Sequence, residues 1–225
     1  MKPLLSIVIP ALNEAVGIET TLRALQPLRA RGVEILLADG GSTDGTTHRA
    51  APWVDAMVSG AHGRAVQMNA GAVRAQADVL LFLHADTRLP PLADLQLLQA
   101  VGAGARWGRF DVRIEGRPWM LQVVAALMNK RSRLSGIATG DQGIFVARDA
   151  FNAVGGFPVQ PLMEDIEMSR RLKRLGRPAC LRAKVCTSGR RWEQHGVWRT
   201  IFLMWRLRWR YWCGEPAARL AAAYR

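Results

Sequence analysis

Cysteine is scarce in these 225 residues. Cys180, Cys186 and Cys213 are the whole complement, and no two stand in a CxxC pair. So sparse and odd a set argues against a disulfide framework or a zinc site and fits a reducing cytosol. Long apolar runs are lacking too: none reaches the ~18 residues of a membrane span. The opening MKPLLSIVIPAL has the outline of a signal peptide. Its apolar stretch is short, however, and Asn13-Glu14 stand where a small-residue cleavage site belongs, so it reads as a first buried strand. Neither GxGxxG nor GxxxxGK[ST] occurs, which removes the dinucleotide fingerprint and the P-loop. There are no internal repeats and no low-complexity linker. Acidic residues nearly vanish from the last quarter, where residues 170–225 hold 15 Lys and Arg against 2 acids. Residues 1–169 hold 16 of each, so the net charge of +13 lies wholly in the C-terminal segment. That pattern suggests a balanced catalytic body with a basic C-terminal surface.

What is present reads as one globular domain with an appendage. The chain is 49% hydrophobic and 22% charged, and is long enough to bury a large core. The expected division is a body over residues 1–190 and a basic, Trp-rich helical extension over 191–225. Leu4–Ile9 is almost unbroken apolar, as a strand covered on both faces should be, and Pro10 is expected to end it. A helical pattern follows from Asn13-Glu14 through Leu22 and Leu25 and stops at Gly32. Val33–Ala38 is the second strand, so the spacing predicts a parallel βαβ unit. It runs into Asp39 and the loop DGGSTDGT. The glycines allow close approach to a ligand, and Ser42-Thr43-Asp44 could cap the next helix.

A short strand at 57–60 and a helix at 62–76 come next. Arg64 and Asn69 on that helix could reach a nucleotide. The organising stretch is LLFLHADTRLP, residues 80–90, where an apolar strand stops abruptly at His84, Ala85 and Asp86. In open α/β sheets ligands bind outside the carboxyl ends of strands. Further on, a helix is expected through 91–101, a half-exposed strand over 108–116, and an apolar helix over Trp119–Met128. In GDQGIFVARD, residues 140–149, Asp141 could meet a substrate hydroxyl. The amphipathic helix 163–176 carries Glu164, Asp165 and Glu167 in its first turn, where the helix dipole favours acids. A strand is expected at 179–187. In the helix 197–212, Trp198, Phe202, Trp205, Trp209 and Trp212 recur at helical spacing beside Arg199, Arg206 and Arg210. Such a helix suits an anionic membrane surface, or a helix docked on the body with its arginines in water.

Four ordered motifs, SIVIPALNE, ADGGSTDGT, FLHADT and MEDIEMSRRL, resemble those of family 2 glycosyltransferases over residues 4–176. More narrowly, GRAVQMNAGA, FLHADTRLP, GDQGIF and TSGRRW resemble a bacterial subgroup, the radical-SAM/selenodomain-associated transferases. The resemblance implies an α/β fold of the GT-A type, Rossmann-like, with a mixed, mostly parallel sheet flanked by helices. It implies transfer of a sugar from a nucleotide-diphospho-sugar, a UDP-sugar by expectation, to an acceptor hydroxyl. Pro10, Asn13 and Glu14 would then lie against base and ribose, and Asp39 would bind uracil or ribose. His84-Ala85-Asp86 stands at the family's DxD position, so Asp86 would hold Mn²⁺ or Mg²⁺ at the diphosphate. Asp165 matches the acid that deprotonates the acceptor hydroxyl, and Asp141 and Glu164 would contact the acceptor, a lipid or a small molecule.

The departure from the family pattern is His84 where the first Asp often stands. As a softer ligand, an imidazole suits Mn²⁺ better than Mg²⁺. His195 could add a further metal ligand, as C-terminal histidines do in some GT-A enzymes. A single base with in-line attack implies inversion. The expected setting is cytoplasmic, with the C-terminal helix at the inner membrane face and no nucleic-acid partner. Two alternatives stand beside this reading. A nucleotidyltransferase needs a basic glycine-rich loop after the first strand, which ALNEAVGIE lacks. A basic nucleic-acid or membrane module would account for the tail but leave the acids of the body unexplained. The glycosyltransferase expectation requires Glu14, Asp39, Asp86 and Asp165 to converge on one cleft.

Overall fold

The computed structural model describes residues 2–60 and 62–224. Eight strands form one sheet: β1 (Leu5–Ala11), β2 (Glu34–Asp39), β3 (Ala56–Ser59), β4 (Val79–Phe82), β5 (Thr87–Arg88), β6 (Trp107–Glu115), β7 (Ile144–Ala147) and β8 (Ala179–Ser188). Their order across the sheet is β3-β2-β1-β4-β7-β6-β8-β5. The β3-β2-β1-β4 half is parallel throughout. Beyond it, β7 runs antiparallel to β4 and β6, β8 parallels β6, and β5 is antiparallel to β8. The helices are α1 (Ile18–Arg29), α2 (Thr46–Ala50), α3 (Arg64–Arg74), α4 (Ala93–Gly102), α5 (Met120–Ser135), α6 (Arg148–Ala153), α7 (Glu164–Leu172), α8 (Arg190–His195), α9 (Val197–Trp212) and α10 (Ala217–Tyr224). The result is a mixed, mostly parallel sheet flanked by helices.

The period-2 pleat sorts each central strand between two cores. Leu5, Ile7 and Ile9 of β1, Ile35 and Leu37 of β2, and Val79 and Leu81 of β4 join Ile18, Leu22 and Leu25 of α1. Val8, Leu36, Ala38, Leu80 and Phe82 face the other way, onto Ala65, Met68 and Ala72 of α3 and Met168 and Leu172 of α7. Helices on both faces explain why these strands read as continuous apolar runs. The small residues of α3 matter for its closeness to the sheet: a Cβ on Gly71 would lie 2.3 Å from Val8 Cγ1.

Several expectations are corrected. Pro10 does not end β1, which continues through Ala11, because Pro10 sits in register with Ala38 at the end of the parallel ladder. Strand β6 is interior rather than half-exposed. Its polar positions, which mimic a solvent face, are a buried cluster: Arg109 pairs with Asp111, and Asp111 also takes Arg133 Nη2 at 2.6 Å. Helix α5 runs on through Ser135, two turns past Met128, and Gly136 at φ 68° closes it. Helix α1 begins at Ile18, after a turn in which the Glu14 carbonyl accepts the Gly17 and Ile18 N–H groups.

The C-terminal segment packs on the body. Leu207 of α9 and Leu220 of α10 are buried with Met163, and Leu203, Met204 and Tyr211 pack around them. The opposite face of α9 is open: Trp198, Phe202, Trp205, Trp209 and Trp212 are 61% to 77% exposed. No helix among the described residues is long and apolar enough to cross a membrane.

Candidate active site

At the carboxyl ends of β1 and β2, two loops are stitched together by side chains. Asn13 adopts φ 55°, a left-handed conformation that asparagine tolerates better than most residues. Its Oδ1 accepts the Thr43 N–H at 3.0 Å, and its own N–H donates to Ser42 Oγ at 2.9 Å. The Glu14 N–H donates to Thr46 Oγ1 and the Ala15 N–H to Asp44 Oδ2. Asp44 Oδ1 also accepts the Thr46 N–H, so this segment orders the start of α2 even though Gly45 occupies the N-cap. Asp39 ends β2 buried. Its Oδ2 accepts the Gly41 and Ser42 N–H groups at 2.9 Å, whereas its buried Oδ1 has no partner among the described residues. Gln67, on α3, was not singled out from sequence. Its buried amide donates to the carbonyls of Ala11 at 2.7 Å and Ala38 at 2.9 Å, tying the two strand ends together. A polar residue among the buried positions of an otherwise apolar helix face was the available signal.

Beyond β4 the chain turns through His84, Ala85 and Asp86, and two recesses meet there. The wider holds about 300 Å³ and is lined by Glu14, Thr21, Asp86, Arg88, Glu115 and Arg190 among others. Among the described residues the Asp86 carboxylate takes one side-chain hydrogen bond, at 3.4 Å from the neighbouring Thr87 hydroxyl. The narrower holds about 10 Å³, with His84, Arg64, Gly140, Glu164 and Asp165 in its wall. Two recesses thus lie on either side of the turn at residues 84–86. Asp86 and Glu14 share one recess and Asp165 the other, and neither is lined by Asp39.

The narrow recess is densely charged. Asp165 Oδ2 accepts the Gly140 N–H at 2.9 Å, and Oδ1 accepts the Ile166 N–H at 2.7 Å. Met163, just before it, takes φ 64°, a strained setting for a residue with a long side chain. Asp141 Oδ1 meets His84 Nδ1 at 3.2 Å. Burial alone would raise the Asp141 carboxyl, but the His84 bond and charge, then Arg64 and Arg191, outweigh it and hold it below the ordinary carboxylate range. Glu164 goes the other way. Burial and the adjacent Asp165 push its carboxyl up, against the pull of Arg64, whose Nη1 lies 3.6 Å from Oε1. For Arg64 itself, desolvation pulls down but Glu164, Asp141 and Asp165 together carry the guanidinium above its usual value.

Two residues of the C-terminal segment pair with each other. Arg191 lies over the Tyr224 ring at 3.7 Å and donates to the Tyr224 carbonyl at 3.1 Å. Burial pushes the Tyr224 phenol up, and the charges of Arg191, Arg64, Asp141 and Asp165 all act on it. Nothing in the sequence links positions 191 and 224 to position 141.

Three expected ligand contacts are otherwise engaged or buried. Both polar ends of the Asn69 amide are used by Phe157, whose carbonyl accepts at 2.8 Å and whose N–H donates at 2.9 Å; Asn69 ties α3 to the 155–158 turn. Pro10 is buried within β1 and presents no face to a base. Glu164 is 5% exposed and serves Arg64 rather than an open acceptor position. His84 has Nδ1 on Asp141 and Nε2 close to Gly140, where a Cβ would come within 2.2 Å, so the ring is held against the 139–143 loop. His195 is exposed at the end of α8. Among the described residues no three His, Cys, Asp or Glu side chains gather as a metal-holding group, so His84, Asp86 and His195 do not form one.

Residues 6–156 match the profile of the family described as Glycosyl transferase family 2. No curated protein matches the chain. Among solved structures it resembles a mannosyltransferase from Pyrobaculum calidifontis in complex with GDP-Man and Mn²⁺, at 20% identity and TM-score 0.61 over 83% of this chain and 57% of that one. TarS from S. aureus aligns at 16% identity and TM-score 0.63, over 82% and 60%. Glucosyl-3-phosphoglycerate synthase from Mycobacterium tuberculosis, in complex with Mn²⁺, UDP and glucosyl-3-phosphoglycerate, aligns at 19% and TM-score 0.61, over 82% and 71%. The chain thus spans less than two thirds of the first two structures, and likeness at these identities establishes the GT-A fold.

Proposed function

The chain belongs to glycosyl transferase family 2, and from that premise we propose that it moves a sugar from a UDP-sugar to an acceptor hydroxyl with inversion. The observation that carries this reading is the turn at residues 84–86, which sets the carboxylate of Asp86 in the wide recess and leaves Asp165 in the narrow one. The wide recess has room for a diphosphate. The narrow one, at about 10 Å³, has room for one water-sized group, which suits a single hydroxyl beside a base.

Asp39 supports a nucleotide at the strand ends. Its buried Oδ1, without a partner among the described residues, is an acceptor at the place where acidic strand ends take ribose or base hydrogen bonds. Uracil N3–H or a ribose hydroxyl would satisfy it. Asn13 and Glu14 line the same rim through their loop. Asp86 fits one divalent cation, Mn²⁺ or Mg²⁺, because among the described side chains only a long hydroxyl contact competes for it. When bound, such an ion supplies electrostatic stabilisation of the diphosphate leaving group. The solved relatives complexed with Mn²⁺ together with GDP-Man or UDP lend this support by analogy.

The protein's own steps follow. Asp165, held by two backbone N–H groups, takes the acceptor proton. The freed oxygen attacks the anomeric carbon as the bond to the diphosphate oxygen breaks on the opposite side, which inverts that carbon. Arg88 and Arg190, in the wall of the wide recess, meet the charge that builds on the leaving diphosphate, and Arg64, oriented by Glu164, faces the transferred sugar from the narrow recess. Asp141 fixes His84 and keeps its second oxygen for the acceptor side. Incubation with UDP-sugars and Mn²⁺ tests the reading: release of UDP with a new glycoside supports it, and unimpaired transfer by both Asp86→Asn and Asp165→Asn sinks it.

The partner surface is read from α9. Five aromatic side chains on one face are 61% to 77% exposed, Arg199 and Arg206 beside them are exposed, and the face behind is packed on the body. An in-plane helix of this kind places its rings at the lipid headgroups and its arginines on anionic lipid. The site of action proposed is thus peripheral, on an anionic membrane surface.

A further inference from the structure

Helices α9 and α10 line neither recess, yet they pack on the stretch of chain that carries the proposed base. Their buried residues Leu207 and Leu220 join Met163 in a small core separate from the two that cover the sheet. Met163 is the residue before α7, two places ahead of Asp165. Ile166, the residue after Asp165, packs against the same core. A polar contact runs the same way. Gln160 Nε2 donates to the Tyr211 hydroxyl at 3.2 Å and to the Leu162 carbonyl at 2.9 Å. Between Gln160 and α7 the chain has no regular structure of its own. The entry into α7 is also strained, since Met163 sits at φ 64°, where a long side chain is disfavoured. Such a conformation persists only where the surroundings hold it, and the Met163 side chain is buried against α9 and α10. The transfer mechanism uses none of Met163, Leu207, Tyr211 and Leu220, and all lie beyond the segment 6–156 that the family profile matches.

We propose that Leu207, Leu220 and Tyr211 are positioning residues for Asp165, so that the C-terminal helix pair is a clamp on the base. The proposal rests on the transfer reading and deepens it at the narrow recess. Leu207 and Leu220 hold the Met163 side chain, and the left-handed Met163 backbone sets the direction in which α7 starts. That direction brings Asp165 Oδ2 to the Gly140 N–H at 2.9 Å, across 25 residues of chain. The other carboxylate oxygen takes the Ile166 N–H within the first turn of α7. Tyr211, through Gln160, fixes the approach to that turn. A base must lie within hydrogen-bond reach of the hydroxyl it deprotonates, and a displacement of about 1 Å can cost about 10²-fold in rate. Opening the clamp lets the Met163 backbone relax out of its left-handed setting and draws Asp165 away from Gly140. None of the three residues touches a reacting atom; each acts through the turn at 160–166.

The test is amide hydrogen exchange, read residue by residue by NMR on the full chain without ligand. The reporters are the Gly140 and Ile166 N–H groups, which donate to Asp165, and the reference is the interior of β1 and β4. Leu220→Ala should speed exchange at both reporters by about tenfold or more and leave the reference rates within about twofold. Leu220→Met, which keeps the apolar volume, should keep the wild-type rates. Tyr211→Phe removes only a hydroxyl, so it serves where a truncated core residue unfolds the chain; it should speed the same two amides by about threefold. Met163→Gly takes the left-handed turn without strain and has no side chain to hold, so Leu220→Ala should add nothing at the reporters in that background. Equal acceleration in β1 and β4 makes the three residues structural and overturns the proposal. Unchanged reporters in both Leu220→Ala and Tyr211→Phe overturn it too, as does full additivity with Met163→Gly. Turnover is measured separately, as UDP release from UDP-sugars with Mn²⁺. Leu220→Ala should lower kcat by roughly tenfold to 10²-fold at unchanged UDP affinity, and an unchanged kcat sinks the positioning role. No UDP release by wild type defeats the transfer reading alone, and the exchange rates still decide the clamp.

Discussion

The two recesses that meet at residues 84–86 differ thirty-fold in volume, about 300 Å³ against about 10 Å³, and they differ in what their walls do. The wide one is bordered by ion pairs between partly exposed side chains, such as Arg190 with Glu14 at 3.4 Å and Arg88 with Glu115. Pairs of this kind contribute little and rearrange readily, as a surface that receives a large, charged ligand should. The narrow one has displaced ionisable groups in its wall, Glu164 up and Arg64 up, and Asp141, held down, on the back of His84. Tight packing around charge makes each group sensitive to its neighbours, and perturbed groups in a recess are candidates for chemistry. On the proposed reading, holding the donor and moving the proton fall to different surroundings, one open, the other narrow and crowded with charge.

The largest test of this division lies in the proposed proton step. Asp165→Asn should lower the transfer rate by about 10²–10⁴-fold with UDP affinity retained, measured by steady-state kinetics alongside calorimetry. Asp86→Asn should instead lose the metal-dependent part of UDP affinity. If the two variants failed in the same way, the division between the recesses would collapse.

A matched pair of glycines comes next. A Cβ on Gly140 would fall 2.2 Å from His84 Nε2, so Gly140→Ala overpacks the narrow recess and should cost about 1–3 kcal/mol by denaturant titration. Gly17 lines the wide recess, has nothing within 4 Å of such a Cβ and holds φ −110°, so Gly17→Ala should be close to neutral.

Smaller, and of opposite sign, are two charge removals. The folded state holds the Glu164 proton more tightly than the unfolded chain, so its ionisation costs stability as pH rises from the ordinary glutamate range through the raised value. Glu164→Gln should therefore raise the melting temperature near neutrality, with the difference shrinking in acid. Asp141 is the reverse case. Its lowered carboxyl stabilises the fold above the unfolded value and loses that contribution as pH falls through the folded one, so Asp141→Asn should melt lower near neutrality and converge with wild type in acid. Melting curves across pH read both signs.

The smallest expected effect is remote from both recesses. Replacing Arg199 or Arg206 by Gln should weaken binding to anionic vesicles by roughly 1 kcal/mol each without altering UDP affinity. Equal sedimentation of wild type and the double variant would remove the membrane partner.

Much of the fold was legible because the pleat and the helix turn write themselves into residue order. Leu5, Ile7 and Ile9 against Val8, or Leu22 and Leu25 of α1, could face only a two-sided core. The acids at strand ends were legible for a related reason, since a carboxylate that stops an apolar run stands at an edge. The rest depended on contacts made across long stretches of chain. Asn69 looks free until Phe157 arrives from 88 residues away. Arg109 and Asp111 alternate like a wet face because each is hidden by the other. Arg131 resembles any cation ending a helix, yet its Nε and Nη2 are buried without a hydrogen-bond partner among the described residues. Tyr224 and Arg191 stand 33 residues apart and meet where α10 docks beside α9.

The amide of Gln67 has a consequence for the nucleotide end. Because one side-chain nitrogen bridges the carbonyls of Ala11 and Ala38, at the carboxyl ends of β1 and β2, the gap between those strand ends is set before any ligand arrives. A base settling over Asp39 would meet a seat already of the right width, and none of its affinity would go into drawing the two strands together.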